Sequence, residues 1–272
     1  MPQPFDNPSE PFPTSGQLPR DGVPPDILRP ATLLRLGTRR SPLAMAQARE
    51  ARERLAAALG WAEEAIEIVP VTASGDRIQD RPLAEMGGKA LWTKELDAWL
   101  LNGEIDFAVH SAKDVETLRP EGLIIAAVLP REDVRDCLVG ANSSFGSIMA
   151  LPQGARVGTS APRRAAQLLH ARPDCTIVPF RGNVATRLAR LAADEADATL
   201  LALAGLNRLA RIGECGHGVG HPLDATQWLP APGQGAIAIE ARAGDTATRA
   251  ALACHSARCG AAGAGSACVC RQ

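Results

Sequence analysis

The chain has 272 residues, of which 46% are hydrophobic, so it is long enough to bury two separate cores. Its formal net charge of −1 gives no bulk electrostatic reason to expect a nucleic-acid or membrane partner. Aromatic residues make up only 3%, which argues against a stacking platform for single-stranded nucleic acid. No apolar run approaches the roughly 20 residues that span a bilayer, and no secretory signal opens the chain, so we expect a cytoplasmic protein.

The first 31 residues are interrupted by nine prolines. Proline at that density blocks helices and strand ladders, and the segment offers little that could form a core. We therefore expect a disordered leader over residues 1–31 that has no function of its own, with structure beginning at residue 32.

The first structured stretch predicts a strand followed by a helix that begins at a basic turn. LLRLG is typical of a short strand, and Ser41 followed by Pro42 is a favourable helix start with the serine as N-cap. The helix is predicted to end at Gly60. Arg39 and Arg40 lie just before the helix N-terminus, where exposed backbone N–H groups and positive charge together outline an anion site.

A polar loop separates the second predicted strand, residues 65–71, from a helix predicted over 91–101. Lys89 follows two glycines at the entry to that helix. This position makes Lys89 a second candidate for anion binding.

The chain is organised around residues 102–117, where an apolar strand ends in a polar cluster that contains Lys113 and Asp114. An open α/β sheet carries its chemistry at the carboxyl ends of its strands, so we expect this pair at the functional site. The alternative is an ordinary surface salt bridge between the two side chains. The choice of lysine favours a functional role, since the chain has 26 arginines and only three lysines: Lys89, Lys94 and Lys113.

The second half repeats the same arrangement, in which a strand ends in hydroxyl or basic residues at the start of a helix. Strands are predicted over 155–158, 175–180 and 198–204. The residues that follow them and are candidates for anion binding are Thr159, Ser160, Arg163, Arg164, Arg181, Arg187 and Arg208.

Two further segments are expected to join the halves. The charged stretch 131–136 is the predicted interdomain hinge. The Gly-Gln-Gly turn at 233–235, with Gln234 at its centre, allows backbone N–H groups to approach a ligand closely and feeds a strand over 236–241.

Two other kinds of site are disfavoured. No G-x-G-x-x-G follows the first strand, which argues against a nucleotide-binding Rossmann domain. Four of the seven cysteines crowd the last 19 residues, but their C-x4-C and C-x-C spacings differ from the paired C-x2-C of structural zinc sites, so we expect no metal.

Eight stretches, in order, resemble the porphobilinogen deaminase (hydroxymethylbilane synthase) family of tetrapyrrole biosynthesis, and together they cover about residues 33–242. They are LRLGTRRSPLAMAQ, GDRIQDRPLAEMGGKALWTKELDAWLL, IDFAVHSAKDV, REDVRDCLVG, GARVGTSAPRRAAQLL, FRGNVATRLARL, ATLLALAGLNRL and LPAPGQGAIAIEAR. A run of this kind is far more specific than any single motif.

The resemblance implies two doubly wound α/β domains of periplasmic-binding-protein type with the active cleft between them, and a third, smaller α+β domain. It places domain 1 at 32–131 with 225–243 and domain 2 at 135–222. It also implies an enzyme that condenses four porphobilinogen molecules head to tail, with release of ammonia, on a dipyrromethane primer linked to a cysteine. We expect a monomer.

The same resemblance assigns roles to individual residues. Asp114 is the expected acid/base, which protonates the leaving amine and stabilises the cation that remains. The carboxylates of the primer and growing chain are expected to be held by Arg39, Ser41, Lys89, Lys113, Thr159, Ser160, Arg163, Arg164, Arg181, Arg187 and Arg208, with Gln234 on a matching turn.

The chain departs from the family pattern in two places. Ala161 stands where the family usually carries another serine. After about Arg249 the resemblance stops, so residues 244–272 are expected to be an atypical remnant of a truncated or frameshifted third domain. No cysteine there lies in the family's primer motif, with Cys259 and Cys268 only nominal candidates. The alternative function is therefore a catalytically impaired relative that binds polycarboxylates without the covalent primer.

Overall fold

The computed structural model describes residues 33–71, 93–141 and 145–260, with side chains as far as residue 253. The predicted leader, the loop that carries Lys89 and the side chains of the four C-terminal cysteines lie outside these ranges. The predictions for those segments therefore stay predictions.

The first half of the described chain alternates strands and helices. In chain order these are β1 (Leu34–Arg39), α1 (Pro42–Leu59), β2 (Ile66–Val71), α2 (Lys94–Leu101), β3 (Phe107–Ser111) and β4 (Leu123–Val128). The predicted strands and helices of this half are confirmed, with ends that differ by one to three residues.

The second half continues with the same alternation. Its elements are β5 (Asp136–Gly140), β6 (Arg156–Gly158), α3 (Pro162–Ala171), β7 (Thr176–Val178), α4 (Val184–Ala192), β8 (Ala198–Ala202), α5 (Leu203–Arg211), β9 (His221–Pro222), β10 (Ile237–Arg242) and α6 (Thr246–Gly260). Helix α4 ends at Ala192, and Asp194 just after it adopts a left-handed backbone conformation with φ of 57°.

The strands form two sheets of five. The first has the order β2-β1-β3-β10-β4, in which β1, β2 and β3 are parallel and β10 runs antiparallel to both its neighbours. The second has the order β7-β6-β8-β5-β9, with β6, β7 and β8 parallel and β5 antiparallel. The predicted class, two doubly wound α/β units, is confirmed. The chain passes between the sheets twice, from β4 to β5 and from β9 to β10.

Helix α1 shows how local sequence sets the ends of an element. Ser41 accepts a hydrogen bond from the Ala44 N–H at 3.3 Å, and proline occupies the first turn. Gly60 ends the helix in the left-handed conformation with φ of 69°. Alanines and leucines of the inner face, including the fully buried Ala48, pack on the first sheet.

Helix α6 was not predicted. It follows β10 and packs against β4 and α1, with Ala251 and Leu252 buried in the core of the first sheet. Helix α6 lies within the stretch 244–272, which the sequence assigns to a third domain. That assignment stays a prediction. Within the described ranges, no helix has both the length and the apolar character needed to cross a membrane.

Candidate active site

The candidate residues lie where the parallel strands end. Arg39 closes β1, Ser111 closes β3, Thr159 follows β6, and Arg181 follows β7 by three residues. Strand β5 runs antiparallel, and its first residue, Asp136, pairs with Ala202 at the end of β8. The sequence prediction that polar residues gather at carboxyl strand ends holds in both sheets.

Lys113 and Asp114 lie on a single-turn 3-10 helix, Ala112–Asp114, directly after β3. The strand end is held on one side by Gln47 of α1, which donates to the Ser111 hydroxyl at 2.9 Å. On the other side, the Ala112 N–H donates to the Ala236 carbonyl at 3.0 Å. We call residues 111–114 the catalytic turn, after the role that the resemblance implies for Asp114, which lies half-buried there.

The charged neighbours of Lys113 come from both halves of the chain. The pKa of its ammonium is lowered to about 8, and the largest cause is burial. Among its charged neighbours, Asp114 and Asp136 act to raise the pKa, while Arg164 and Arg187 act to lower it. Three of these four neighbours belong to the second sheet's half of the chain, so Lys113 lies at the junction between the domains.

Arg187, one turn into α4, belongs to the same cationic group. Its pKa is lowered to about 10, chiefly by burial, with Arg164 and Arg181 acting in the same direction and Asp114 acting to raise it. Its Nε donates to the Gly182 carbonyl at 3.0 Å. A concentration of arginines of this kind creates a positive potential that favours a bound anion.

Three predicted ligand-binding side chains have a buried polar atom without a partner in the described part of the chain: Ser160 Oγ, Arg181 Nη1 and Gln234 Oε1. Buried polar groups in native proteins are nearly always hydrogen-bonded, so the two that follow strand ends, Ser160 Oγ and Arg181 Nη1, are suited to bind a polar ligand. Thr159 beside them is buried, and its hydroxyl accepts from the Ala161 N–H at 3.2 Å.

Asp136 is the last residue of the charged stretch 131–136 and the centre of a buried cluster. Its carboxylate is 0% exposed and accepts hydrogen bonds from four side chains. They are Arg163 (Nη2, 2.7 Å), Arg164 (Nη2, 2.7 Å; Nε, 3.2 Å), Trp228 (Nε1, 3.0 Å) and Gln234 (Nε2, 2.9 Å). Burial alone would raise the pKa of Asp136, but the two arginines outweigh it and hold the pKa far below its ordinary value.

This cluster engages three residues that the resemblance offers as ligand contacts. Arg164 is buried, and its Nη1 donates to the Leu200 carbonyl at 2.8 Å, so most of its donors are used inside the protein. Arg163 also donates to the Leu229 carbonyl. One feature of the sequence pointed to this cluster: Asp136 is an acidic residue directly before an apolar strand. It lies at the edge of the sheet where the other site residues are found.

Arg208 joins the two domains. Its Nε donates to Glu50 of α1 at 3.0 Å and its Nη2 to the Gly235 carbonyl at 3.2 Å. Only 4% of its surface is exposed. Nearby, Arg211 contacts Glu132 of the hinge at 2.6 Å. The structure therefore places Arg208 at a domain contact, whereas the sequence suggested a ligand contact.

The Gly-Gln-Gly turn packs against both the hinge and the catalytic turn. A side chain at Gly233, where φ is 71°, would lie 3.2 Å from the Lys113 backbone nitrogen. Gly235, with φ of 88°, has no room for one, since a Cβ would lie 2.3 Å from the Glu132 carbonyl oxygen. Gln234 Nε2 donates to the Val134 carbonyl at 2.7 Å. Close backbone approach here serves protein packing.

The remaining first-domain candidates are less defined. Ser41 uses its hydroxyl as the cap of α1, and Arg39 lies half-buried at the end of β1. Lys89 lies outside the described ranges. Among the residues that the structure describes, no three His, Cys, Asp or Glu side chains come together in a way that could bind a metal ion.

Comparison with known proteins assigns the chain to a family. The family described as "Porphobilinogen deaminase, dipyromethane cofactor binding domain" matches residues 34–250. A porphobilinogen deaminase of Sphingopyxis alaskensis is 58% identical over 229 residues, which cover 84% of this chain and 71% of the relative. One of Paracoccus denitrificans is 51% identical over the same shares. A solved structure, the periplasmic VFT2 domain of Bordetella pertussis BvgS, aligns over 82% of the chain and 86% of its own with a TM-score of 0.47 and 16% identity. The chain belongs to the porphobilinogen deaminase family.

Proposed function

We propose that this chain is a hydroxymethylbilane synthase, which condenses four porphobilinogen molecules head to tail on a dipyrromethane primer and releases ammonia at each step. Membership of the family supports the reaction. The observation that carries the proposal at the level of the site is the pair of unpartnered buried atoms, Ser160 Oγ and Arg181 Nη1, beside a cationic group at the domain junction.

The residues present fit a dipyrromethane. Each pyrrole ring of the primer carries acetate and propionate groups, so the ligand is a linear polyanion. Arginine forks and hydroxyls are suitable receptors for carboxylates. We propose that Ser160 and Arg181 donate directly to primer carboxylates, and that Arg187 and Lys113 neutralise the charge that accumulates as the chain grows. When bound, the primer supplies the nucleophilic pyrrole carbon to which each unit is joined.

The other predicted contacts divide into two groups. Arg39, Ser41, Lys89 and Thr159 stay as proposed direct contacts. Arg163, Arg164, Arg208 and Gln234 are held by Asp136, Glu50 and backbone carbonyls, so we propose that they act mainly by fixing the walls of the cleft and by their charge.

Asp114 is proposed as the acid/base. It donates a proton to the amine that leaves porphobilinogen, and its carboxylate then stabilises the cation that remains on that substrate. After the new carbon–carbon bond has formed, the same carboxylate accepts the proton that the attacked ring carbon releases. A fixed carboxylate in a water-poor cleft stabilises developing positive charge more strongly than water does.

The second candidate function is a polycarboxylate-binding protein without a covalent primer. The observation that favours it is the state of the described thiols. Cys137 and Cys175 are buried, and burial raises the pKa of all three described thiols, that of Cys137 to about 11. Since the thiolate is the reactive form, none of the three is suited to carry the primer. Under the first proposal, a thiol other than these three carries the primer.

We also propose that the protein works as a monomer in the cytoplasm. Three described cysteines are free thiols, as expected in a reducing compartment. Both walls of the cleft come from one chain and are joined by the Arg208–Glu50 contact, so a second copy is not needed to complete it. Sedimentation equilibrium tests the monomer directly, and a dimer at micromolar concentration would contradict it.

The experiment that tests the function follows ammonia release and bilane formation from porphobilinogen, together with the intact mass of the protein. We expect turnover and a mass increase of two pyrrole units in the wild type, and loss of at least 100-fold in turnover for Asp114→Asn, on the scale of general acid/base catalysis. Asp174→Asn, a surface carboxylate paired with Arg172, is the matched control and should keep wild-type turnover.

Three outcomes separate the candidates. Turnover that is lost with Asp114→Asn and kept with Asp174→Asn supports the enzyme. Turnover that persists with Asp114→Asn overturns the role of Asp114. An unmodified mass with no turnover, but with saturable binding of a dipyrromethane, overturns the enzyme in favour of the binding protein.

A further inference from the structure

The segment that carries the catalytic turn is held at both ends by one buried carboxylate. Glu240 lies on β10 and is 0% exposed. Its Oε2 lies 3.2 Å from Nε2 of His110, the residue before the turn. Its Oε1 accepts from Nε of Arg119 at 2.7 Å, five residues after Asp114. Residues 110–119 therefore form a loop whose base is closed by Glu240.

The contacts around Glu240 form a small network of ionisable side chains, all nearly buried. Arg119 Nη2 donates to Glu240 Oε2 at 2.9 Å and to Asp97 of α2. Burial by itself would raise the pKa of Glu240, but His110 and Arg119 hold it below the ordinary value. We call Asp97, Arg119, Glu240 and His110 the Glu240 network.

The network lies on the opposite face of β3 from the support of Ser111. Side chains alternate along a strand, so His110 shares a face with Ala108, which packs in the cluster that contains α2 residues. Ser111 points instead toward α1, where Gln47 holds it. The Glu240 network therefore reaches the catalytic turn only through the backbone.

Stability alone is a weak reason to bury such a network. Desolvation of ion pairs costs about as much free energy as their attraction returns, and apolar residues of similar size often give equal or greater stability. In some proteins the gain from a buried ionic network is that it favours one arrangement of the chain. Here that arrangement fixes the two ends of the loop that presents Asp114.

We propose that Glu240 is a positioning residue for the condensation reaction, which holds Asp114 in its working place by binding His110 and Arg119 at the two ends of residues 110–119. The inference rests on the proposed role of Asp114. It assigns Glu240 no contact with substrate. Its loss loosens the catalytic turn without removing any carboxylate-binding arginine.

The test compares Glu240→Gln with a matched change at the other end of β3, the strand that leads into the catalytic turn. Asp106 precedes β3 and accepts from the Arg35 backbone N–H at 2.8 Å and from its Nη2 at 3.0 Å, at the end of the strand away from the turn. Asp106→Asn thus weakens an ion pair of β3 without touching residues 110–119. Arg119→Lys is the second variant, since it keeps the charge but loses the two-point contact.

Amide hydrogen exchange, measured by mass spectrometry in folded protein, reads the loop directly. We expect Glu240→Gln and Arg119→Lys to raise exchange over residues 111–119 at least tenfold, and Asp106→Asn to leave it unchanged. Equal exchange in wild type and Glu240→Gln overturns the inference, as does an equal rise in Asp106→Asn.

Kinetics with porphobilinogen give the second readout. We expect Glu240→Gln to lower kcat at least tenfold with KM within twofold, because the turn is displaced while the anion-binding residues remain. A rise in KM as large as the fall in kcat would show general damage to the fold and overturn the inference. Asp114→Asn in the same assay keeps the two proposals distinct, since turnover that survives it refutes the role of Asp114 whatever the exchange data show.

Discussion

Arg164 and Asp136 are joined by two hydrogen bonds in the interior of the second domain, from Nη2 to Oδ1 at 2.7 Å and from Nε to Oδ2 at 3.2 Å. Arg163 binds the same carboxylate, so two positive charges meet one negative charge and the cluster keeps a net positive charge. Two members of the cluster also act on the pKa of Lys113, which Arg164 lowers and Asp136 raises. An internal carboxylate thus fixes the arginines and still leaves the cleft cationic.

Replacement of Asp136 by Asn should be strongly destabilising. The substitution leaves Arg164 buried without its counter-charge, and breaking a buried pair costs about 3–5 kcal/mol. Urea unfolding followed by circular dichroism measures the change. Glu195→Gln, which breaks the exposed pair with Arg190, is the control and should cost less than about 1 kcal/mol. Similar losses in the two variants would contradict the account of the Asp136 cluster.

Lys113 should make ligand binding depend on pH. Its pKa in the folded protein is about 8, so it is largely charged at pH 7 and largely neutral at pH 9. A polyanion binds the charged form, and the affinity of a dipyrromethane should therefore fall as the pH rises through 8. Lys113→Arg stays charged and should show a flat profile. Calorimetric titrations from pH 7 to pH 9 measure this, and a wild-type profile as flat as that of the variant would refute it.

The lowered pKa of Lys113 also makes the free energy of unfolding depend on pH. This dependence has the opposite sign to that of ligand affinity. The folded-state pKa of Lys113 lies below its unfolded value of about 10.4, so the unfolded chain binds more protons between these two values. The contribution of Lys113 to the free energy of unfolding should rise as the pH increases from about 8 to about 10. Lys113→Met, which cannot titrate, should lack this rise in denaturant titrations. A wild-type curve that falls in parallel with that of Lys113→Met would contradict the sign.

Gly235 should not tolerate a side chain. A Cβ there would lie 2.3 Å from the Glu132 carbonyl oxygen, and φ of 88° is strained for any other residue. We expect Gly235→Ala to cost at least 1–3 kcal/mol by the strain alone. Gly244→Ala is the control, since its Cβ would meet no atom within 4 Å, and it should change stability by less than about 0.5 kcal/mol. Thermal unfolding that ranks the two variants equally would contradict the tight packing of this turn.

Local signals in the sequence were sufficient to predict the ends of an element where a residue type has a characteristic conformational role. The Ser41-Pro42 start and the Gly60 end of α1 are examples, because capping and left-handed backbone depend on the residue itself. The polar strand ends were predictable for a similar reason, since the topology of an α/β sheet brings them to one edge.

Partners distant in sequence were not predictable in this way. Asp136 binds Gln234, 98 residues away, and Arg208 binds Glu50, 158 residues away. An arginine at a helix start suits an external carboxylate and an internal one equally well, and only the folded chain shows which one it meets. Helix α6 was missed because its sequence has a weak hydrophobic pattern: alanines are exposed as well as buried, and the buried residues up to residue 253 are Thr248, Ala251 and Leu252.

The measurement that tests the central claim most directly is the affinity for a dipyrromethane that carries acetate and propionate groups, measured by isothermal titration calorimetry. Arg181→Gln removes the guanidinium whose buried Nη1 has no partner, and Arg190→Gln removes an arginine that stacks on Phe180 and pairs with Glu195. A charge-assisted hydrogen bond contributes about 1.5–3 kcal/mol, so we expect Arg181→Gln to weaken binding by about tenfold to 100-fold. Arg190→Gln should bind as the wild type does. Wild-type affinity in Arg181→Gln, or an equal loss in both variants, would contradict the claim that this cleft binds a polycarboxylate.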